Sequence, residues 1–387
     1  MSTTADIREA VTSCPEAAAG GATLVCGTRP ELIKLAPLVR LFGDGCSIVY
    51  TGQHYDESLY SRIRVDLPPS NRFHELGVGG GRRGDQLGRT ISAVDEVLAV
   101  HPGRVVIVQG DTTSALAGAL AANAHSLPLV HVEAGLRSHD RAMPEEHNRV
   151  LIDHLADLCC APTGLNRENL LAENVPAERI VVTGNTVVEA LHTALPPACE
   201  REAVLAARGL VRDGYALATL HRPENVDDPG PLALILKELG RLPVPVVFPL
   251  HPRTAKSVTR FGLGRLLEPL VVLEPQAYPA FLALAAEAAV LVSDSGGIQE
   301  EASVLKRPVI VVRRSTERPE IAGTFGVRVP AGPRIGEEAA RWLEDVAGHR
   351  ERLRYLPSPY GDGTAAARIA AAAGSVPVHR TGSAAAG

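Results

Sequence analysis

The chain lacks most of the signatures of metal, redox and membrane chemistry. Its six cysteines, Cys14, Cys26, Cys46, Cys159, Cys160 and Cys199, form no CxxC pair, and most sit in apolar contexts typical of reduced, buried thiols. The 13 histidines show no paired metal-site spacing, and HExxH, Walker and Gly-x-Ser-x-Gly sequences are all missing. The expected mechanism therefore uses neither a metal nor a bound cofactor. No apolar run reaches the roughly 18 residues of a membrane-spanning helix. Met1 to Gly20 carries Asp6, Arg8, Glu9 and Glu16 where a signal peptide would be apolar, so a cytoplasmic location is expected. Nor is there an excess of one charge: 44 acidic and 39 basic residues leave a net charge of −5. Nucleic acid and anionic membranes are accordingly not expected partners, and any anion must be met by local groups.

What is present points to a folded two-domain chain. With 387 residues, a prior of roughly 100 to 200 residues per domain favours two domains of similar size. Hydrophobic residues at 45% and charged residues at 21% match globular proteins and exclude global disorder. Short β-branched runs alternate with helical patterns at Ala22–Gly27, Ser47–Thr51, Arg104–Gly110, Leu129–Glu133, Leu158–Ala161 and Arg179–Thr183. After a polar connection around Pro196–Arg208 the pattern repeats at Tyr215–Leu220, Pro245–Pro249, Leu270–Leu273, Ala289–Ser293, Val309–Val312 and Gly326–Val329. This predicts an α/β chain of two Rossmann-like doubly wound domains facing a cleft, with ligands at the carboxyl ends of the strands. The expected boundaries are 22–195 and 196–357, followed by an Ala-rich helix within 358–374. Frayed ends are expected at 1–21 and 375–387.

Chemistry should then follow the strands. Gly27-Thr28-Arg29-Pro30-Glu31 opens a helix, with Pro30 where its missing donor does no harm and Lys34 one turn on. Backbone donors, Arg29 and Lys34 make a natural anion site. Asp111 follows the Arg104–Gly110 strand and reads in isolation as an N-cap. His131 and Glu133 fall on one face of the next strand at period two, and a carboxylate there needs a partner or a task. Met143-Pro144-Glu145-Glu146-His147-Asn148-Arg149 opens a further helix. In the second half His221 and Arg222 end a strand. Ser293-Asp294-Ser295-Gly296-Gly297 runs from strand into helix through a glycine pair that lets backbone donors approach a diphosphate. Glu301 lies one turn later, and Arg318 follows the next strand. Gly79-Gly80-Gly81-Arg82-Arg83-Gly84 satisfies GxGxxG but follows only a weak strand, so it reads as a flexible loop.

Taken together, GTRPELIK, VQGDTTSAL, HVEAGLRSHD, MPEEHNR, TGNTVVEAL, LHRPEN, LEPQAYPAF, SDSGGIQEEA, STERPE and PYGDG resemble, in order, the motifs of the non-hydrolysing UDP-N-acetylglucosamine 2-epimerase family over Ala22 to Ala373. The resemblance implies the GT-B arrangement, with a C-terminal helix crossing back to the first domain, a UDP-sugar substrate and a homodimer. It assigns the diphosphate to Arg29, Lys34, Ser295, Gly296, Gly297 and Arg318, the ribose to Glu301, and the uracil to Gln276 and Phe281. Arg149 joins the substrate-binding set, and Asp111, Glu133, Glu145 and His221 match the catalytic positions.

The implied reaction, UDP-GlcNAc to UDP-ManNAc, explains the number of carboxylates. No carbonyl acidifies the C2 proton, so UDP leaves as the proton is removed, and it is added back with protonation on the opposite face. Such a route needs a base on each face, and Asp111, Glu133 and Glu145 are the candidates. His221 and the cationic groups would stabilise the departing diphosphate. His251-Pro252-Arg253-Thr254 stands where members activated by their own substrate have His-Leu-Asn-Pro, so such activation is not expected. The AGLRSHDRAMPEEHNR stretch also resembles epimerases of diacetamido uronic acid sugars. The rival readings are a hydrolysing epimerase releasing ManNAc, a GT-B glycosyltransferase and a sugar-nucleotide sensor. The three carboxylates argue against the last two, and no fused kinase domain hints at the first.

Overall fold

The computed structural model describes residues 21–53 and 72–377. Cys14, residues 1–20 and the tail from 378, where frayed ends were expected, lie outside this range. The chain divides into two compact units, one running to Ala190 and resuming at Tyr360, the other Leu191–Pro359.

The first unit is built on seven parallel strands: β1 (Ala22–Cys26), β2 (Cys46–Tyr50), β3 (Arg72–Glu75), β4 (Val105–Gln109), β5 (Leu129–Val132), β6 (Leu158–Ala161) and β7 (Ile180–Val182). They lie in the order β3-β2-β1-β4-β5-β6-β7, the doubly wound arrangement that reverses direction at β1 and β4. Between them run α1 (Arg29–Phe42), α2 (Arg83–Val100), α3 (Thr113–Ala124), α4 (Pro144–Leu155) and α5 (Gly164–Ala172), and α6 (Val187–Ala194) leads out of the unit. The strands are apolar throughout because both faces are covered, and alternate residues serve opposite cores. Leu24, Ile107, Val130 and Cys160 join one core with Leu35 and Leu38 of α1. Val25, Val108, Leu129 and Cys159 join the other with Val94 of α2 and Ile152 of α4.

The second unit repeats the plan with six parallel strands ordered β10-β9-β8-β11-β12-β13. These are β8 (Ala216–Thr219), β9 (Val246–Pro249), β10 (Val271–Leu273), β11 (Val290–Ser293), β12 (Val309–Val312) and β13 (Gly326–Val329). Its helices are α7 (Ala198–Ala206), α8 (Pro223–Val226), α9 (Pro229–Leu239), α10 (Pro252–Phe261), α11 (Tyr278–Glu287), α12 (Gly296–Leu305), α13 (Arg334–Glu344) and α14 (Val346–Arg354). The last helix, α15 (Ala365–Ser375), belongs to the first unit: Ala366, Ile369, Ala370 and Ala373 enter its core, a small-residue stripe at helical spacing.

The fold is thus two Rossmann-like parallel α/β sheets of the GT-B type. Two local readings change. Arg72–Glu75 is a true edge strand, pairing with β2 from Ser47↔Arg72 to Tyr50↔Glu75; of the GxGxxG stretch, Gly80 and Gly81 have positive φ and Arg83 already begins α2. The N-cap of α3 is Thr112, whose hydroxyl accepts from the Ala115 amide, so Asp111 is not spent on capping.

Candidate active site

In the first unit the predicted residues gather at the carboxyl ends of β1, β4 and β5. β4 ends at Gln109, and Gly110 turns the chain with φ 67°, a conformation that favours glycine. The Asp111 carboxylate this turn presents pairs with the Nη2 group of Arg149 on α4, while Asn148 Nδ2 donates to the Asp111 carbonyl at 2.8 Å. Arg149 is only 2% exposed, and its Nη1 donates to Glu146 Oε2 at 2.6 Å. Glu146 in turn accepts from the amides of Ser138 and His139, the latter at 2.8 Å, and fixes the loop between β5 and α4. Of the two adjacent acids in the first turn of α4, Glu146 is therefore the structural one. Glu145 is half-buried and belongs to none of these pairs.

Glu133 lies just past β5, not within it, so it does not continue the His131 face; its φ of 70° is unusual for a residue with a side chain. Such strain costs about 1–3 kcal/mol and persists where the surroundings impose it, commonly at functional sites. The carboxylate is 6% exposed. Lys34 Nζ donates to Oε1 at 2.7 Å, Asn185 Nδ2 to the same oxygen at 3.3 Å, and Gln109 Nε2 to Oε2. A Cβ at Gly110 would stand 3.7 Å from Glu133 Oε2, so the turns bearing Asp111 and Glu133 are neighbours. Lys34, expected at the diphosphate, here neutralises a candidate base.

Glu31 was not singled out by sequence. It is buried in the first turn of α1 and accepts from the Gly27 amide at 3.1 Å, the Thr28 hydroxyl at 2.7 Å and the Thr112 hydroxyl at 2.7 Å. Burial pushes its pKa from the ordinary 4.5 up to about 7, against the lowering effect of these hydrogen bonds. Part of the anion-binding capacity expected of this helix start is thus answered by the chain itself, with Arg29 half-buried beside it. Gly27 admits no side chain, since a Cβ would lie 1.9 Å from Ser114 Oγ.

Behind these turns is a fully buried polar layer. His131 Nδ1 lies 2.6 Å from Asp153 Oδ1 and its Nε2 2.8 Å from the Gly110 carbonyl. Asp153 also accepts from the Gly135 amide at 3.2 Å and pairs with Arg137 Nη1 at 2.8 Å. Burial alone would raise the Asp153 pKa, but His131 and Arg137 outweigh it and hold it below the ordinary carboxylate value.

In the second unit β8 ends before His221, whose Nδ1 is 3.1 Å from Asp294 Oδ1. Asp294 is fully buried and also accepts from the amides of His221 and Arg222 and from Asn225 Nδ2 at 3.1 Å. Burial works to raise its pKa, yet these bonds, led by His221, keep it depressed. Asp294 therefore orients the imidazole, as a carboxylate partner commonly does. Ser295 is the N-cap residue of α12 without capping through its side chain, and Gly296 and Gly297 form the first turn. A Cβ at Gly296 would come within 2.5 Å of Arg318 Nη1 and 2.8 Å of Glu317 Oε1. Arg318 itself is held by Glu300 at 2.6 Å and by Glu317. Glu317 Oε2 lies 2.9 Å from the wholly buried Arg313, whose pKa burial lowers.

Glu301 accepts from the Tyr278 hydroxyl at 2.9 Å, and Gln276 Oε1 accepts from Arg208 at 3.3 Å. Phe281 is half-buried over a small recess with Thr219, Ser293 and Ile298. Glu31, Asp294 and Tyr278 sat inside quoted motifs; Asp153 and Arg313 left no comparable signal. Among the described residues no group of three or more His, Cys, Asp or Glu side chains could hold a metal ion, and no helix is long and apolar enough to cross a membrane.

The chain is similar to known proteins along most of its length. A UDP-N-acetylglucosamine 2-epimerase from Methanocaldococcus jannaschii is 38% identical over 359 residues, covering 90% of this chain and 97% of the relative. A UDP-2,3-diacetamido-2,3-dideoxy-D-glucuronate 2-epimerase from Pseudomonas aeruginosa is 34% identical over 89% of this chain and 97% of its own. The crystal structure of UDP-GlcNAc 2-epimerase from Neisseria meningitidis bound to UDP-GlcNAc superimposes with a TM-score of 0.81 at 31% identity, covering 90% of this chain and 98% of that one. The family model described as UDP-N-acetylglucosamine 2-epimerase matches residues 45–373, which takes in Glu133 with its lysine-neutralised carboxylate as well as the glycine turn of α12, and the chain belongs to that family.

Proposed function

We propose that the chain inverts C2 of a UDP-linked N-acetylated sugar, interconverting UDP-GlcNAc and UDP-ManNAc without releasing the free sugar. The observation that carries the reading is Glu133: a buried carboxylate in a left-handed turn, held by Lys34, Asn185 and Gln109. Its neighbour is a second carboxylate, Asp111, held by Arg149. A binding protein has little use for two oriented acids at adjacent strand ends, whereas proton removal and return require them.

In the proposed reaction a carboxylate takes the C2 proton as the C1–O bond to the diphosphate breaks, and the C2–H electrons form the C1=C2 double bond of a glycal. The diphosphate oxygen then attacks C1 as a second acid protonates C2 from the opposite face. Asp111, Glu133 and Glu145 are the acid and base groups. His221, oriented by Asp294, stabilises charge on the leaving diphosphate, which Ser295, Gly296, Gly297, Arg318, Arg29 and Lys34 bind. Glu301 takes the ribose, while Gln276 and Phe281 take the uracil. Arg149 acts chiefly through Asp111, which it already grips.

Proton NMR of the purified protein with UDP-GlcNAc in D2O tests this. UDP-ManNAc carrying deuterium at C2 is the expected product. Free ManNAc plus UDP would make the chain a hydrolysing epimerase. An unchanged spectrum, with turnover of a UDP-diacetamido uronate, would support the second reading that the Pseudomonas aeruginosa relative favours.

A further inference from the structure

We propose that His131 is a doubly protonated, buried imidazolium, clamped between Asp153 and the Gly110 carbonyl, and that it positions the turn presenting Asp111. The donor and acceptor inventory carries the argument. A carbonyl oxygen only accepts, so the 2.8 Å contact to Gly110 requires a proton on Nε2. The 2.6 Å contact to Asp153 then needs a proton between Nδ1 and the carboxylate. Were both groups without it, a ring lone pair would face a carboxylate oxygen.

The proton belongs to the ring, because Asp153 already accepts from two other donors, Arg137 Nη1 at 2.8 Å and the Gly135 amide at 3.2 Å. Charge balance agrees. Arg137 also pairs with the partly exposed Glu173, so a charged His131 gives the cluster two cations, His131 and Arg137, against two anions, Asp153 and Glu173. From β6, Cys159 Sγ donates to the Asp153 carbonyl at 3.4 Å and adds no charge. Arg179 lies beyond it, donating to the carbonyls of His154 and Ala156. Across the Gly110 turn Glu133 pairs with Lys34, and Asp111, next after Gly110, pairs with Arg149 of α4.

The clamp ties three elements that each carry a predicted catalytic group. Its two ends are the β4 turn before Asp111 and, through Asp153, the helix α4 that bears Glu145 and Arg149. Its third attachment, Gly135, lies two residues after Glu133. A charge-assisted bond at each end resists the small displacements to which proton transfer is most sensitive. This consequence rests on the epimerase reading above, but the protonation state does not.

The test begins with long-range 1H–15N spectra of histidine-labelled full-length chain, with His131 assigned from a His131→Asn variant. Two protonated ring nitrogens are expected for a buried imidazolium bonded at both ends. A neutral ring with one bare nitrogen overturns the proposal whether or not the chain epimerises UDP-GlcNAc. In Asp153→Asn the second ring proton should be lost and kcat should fall about 100-fold, while KM stays within about twofold. Unchanged kcat with the proton lost would refute the positioning role. If that variant does not fold, the wild-type spectra and the kcat of His131→Asn, expected to fall by a similar factor with KM retained, decide in its place.

Discussion

Replacing Glu31 by glutamine should stabilise the protein more above neutrality than in mild acid. The wild-type carboxylate is buried, and its pKa stands at about 7 where 4.5 is ordinary. The folded chain thus holds this proton more tightly than the unfolded chain does. Its contribution is intact below about pH 4.5 and is lost as the pH rises through about 7. A difference of this size corresponds to about 3 kcal/mol at pH 7 to 8, and to about 1 kcal/mol at pH 5. Glutamine keeps the shape and an acceptor for the Gly27 amide, and the rotatable hydroxyls of Thr28 and Thr112 accept as readily as they donate. The neutral side chain therefore escapes the desolvation cost without leaving a donor stranded. Urea unfolding of wild type and Glu31→Gln, measured side by side at pH 5, 6, 7 and 8, should show the variant gaining about 2 kcal/mol relative to wild type over that span. Since every other group titrates alike in both proteins, only the difference is diagnostic. A difference that stays constant within about 0.5 kcal/mol would refute the claim that burial at this helix start holds the carboxyl protonated.

Arg149→Met should cost about 3–5 kcal/mol, because it leaves Asp111 and the buried Glu146 without their shared cation; thermal unfolding reads it, and a loss below 1 kcal/mol would mean the guanidinium is not needed there. Gly296→Ala should weaken UDP binding about 10- to 100-fold by calorimetry. The new methyl would lie 2.5 Å from Arg318 Nη1 and must push that guanidinium off its seat, so unchanged affinity would remove Arg318 from the diphosphate site.

How much of this could be read from the chain follows from how local each signal is. Strands such as Leu158–Ala161 and Val309–Val312 were legible to the residue because a run buried on both faces is continuously apolar. Arg72–Glu75 was not, since it is an edge strand with polar and half-exposed positions and no alternation to see. Asp111 was legible as a residue after a strand and Glu133 was read as the end of one, but their partners were not. Lys34 and Glu133 are 99 positions apart, and His131 and Asp153 meet from a strand and a helix 22 positions apart. Nothing in one sequence announces such pairs. Glu145 and Glu146 illustrate the limit within a single motif. Helical spacing alone puts Glu146 three residues before Arg149 and on its face, yet which face is buried depends on what α4 packs against.

The pairings also bear on how an anionic substrate would be held. Each cation with a resolved ion pair among those the resemblance assigns to phosphate already faces a carboxylate: Lys34 faces Glu133, and Arg318 faces Glu300 and Glu317. Such a cation does not offer its whole charge. At the glycine turn of α12 three guanidiniums, Arg222, Arg313 and Arg318, lie around Glu317, and Arg318 also pairs with Glu300. To these the amides of the helix start add a partial positive charge of about half a unit. Weak net attraction would suit the proposed reaction, in which UDP leaves C1 and returns to it. A site that bound free UDP with the full strength of unpaired cations would stabilise the separated intermediate of the proposed reaction too well and slow the re-addition.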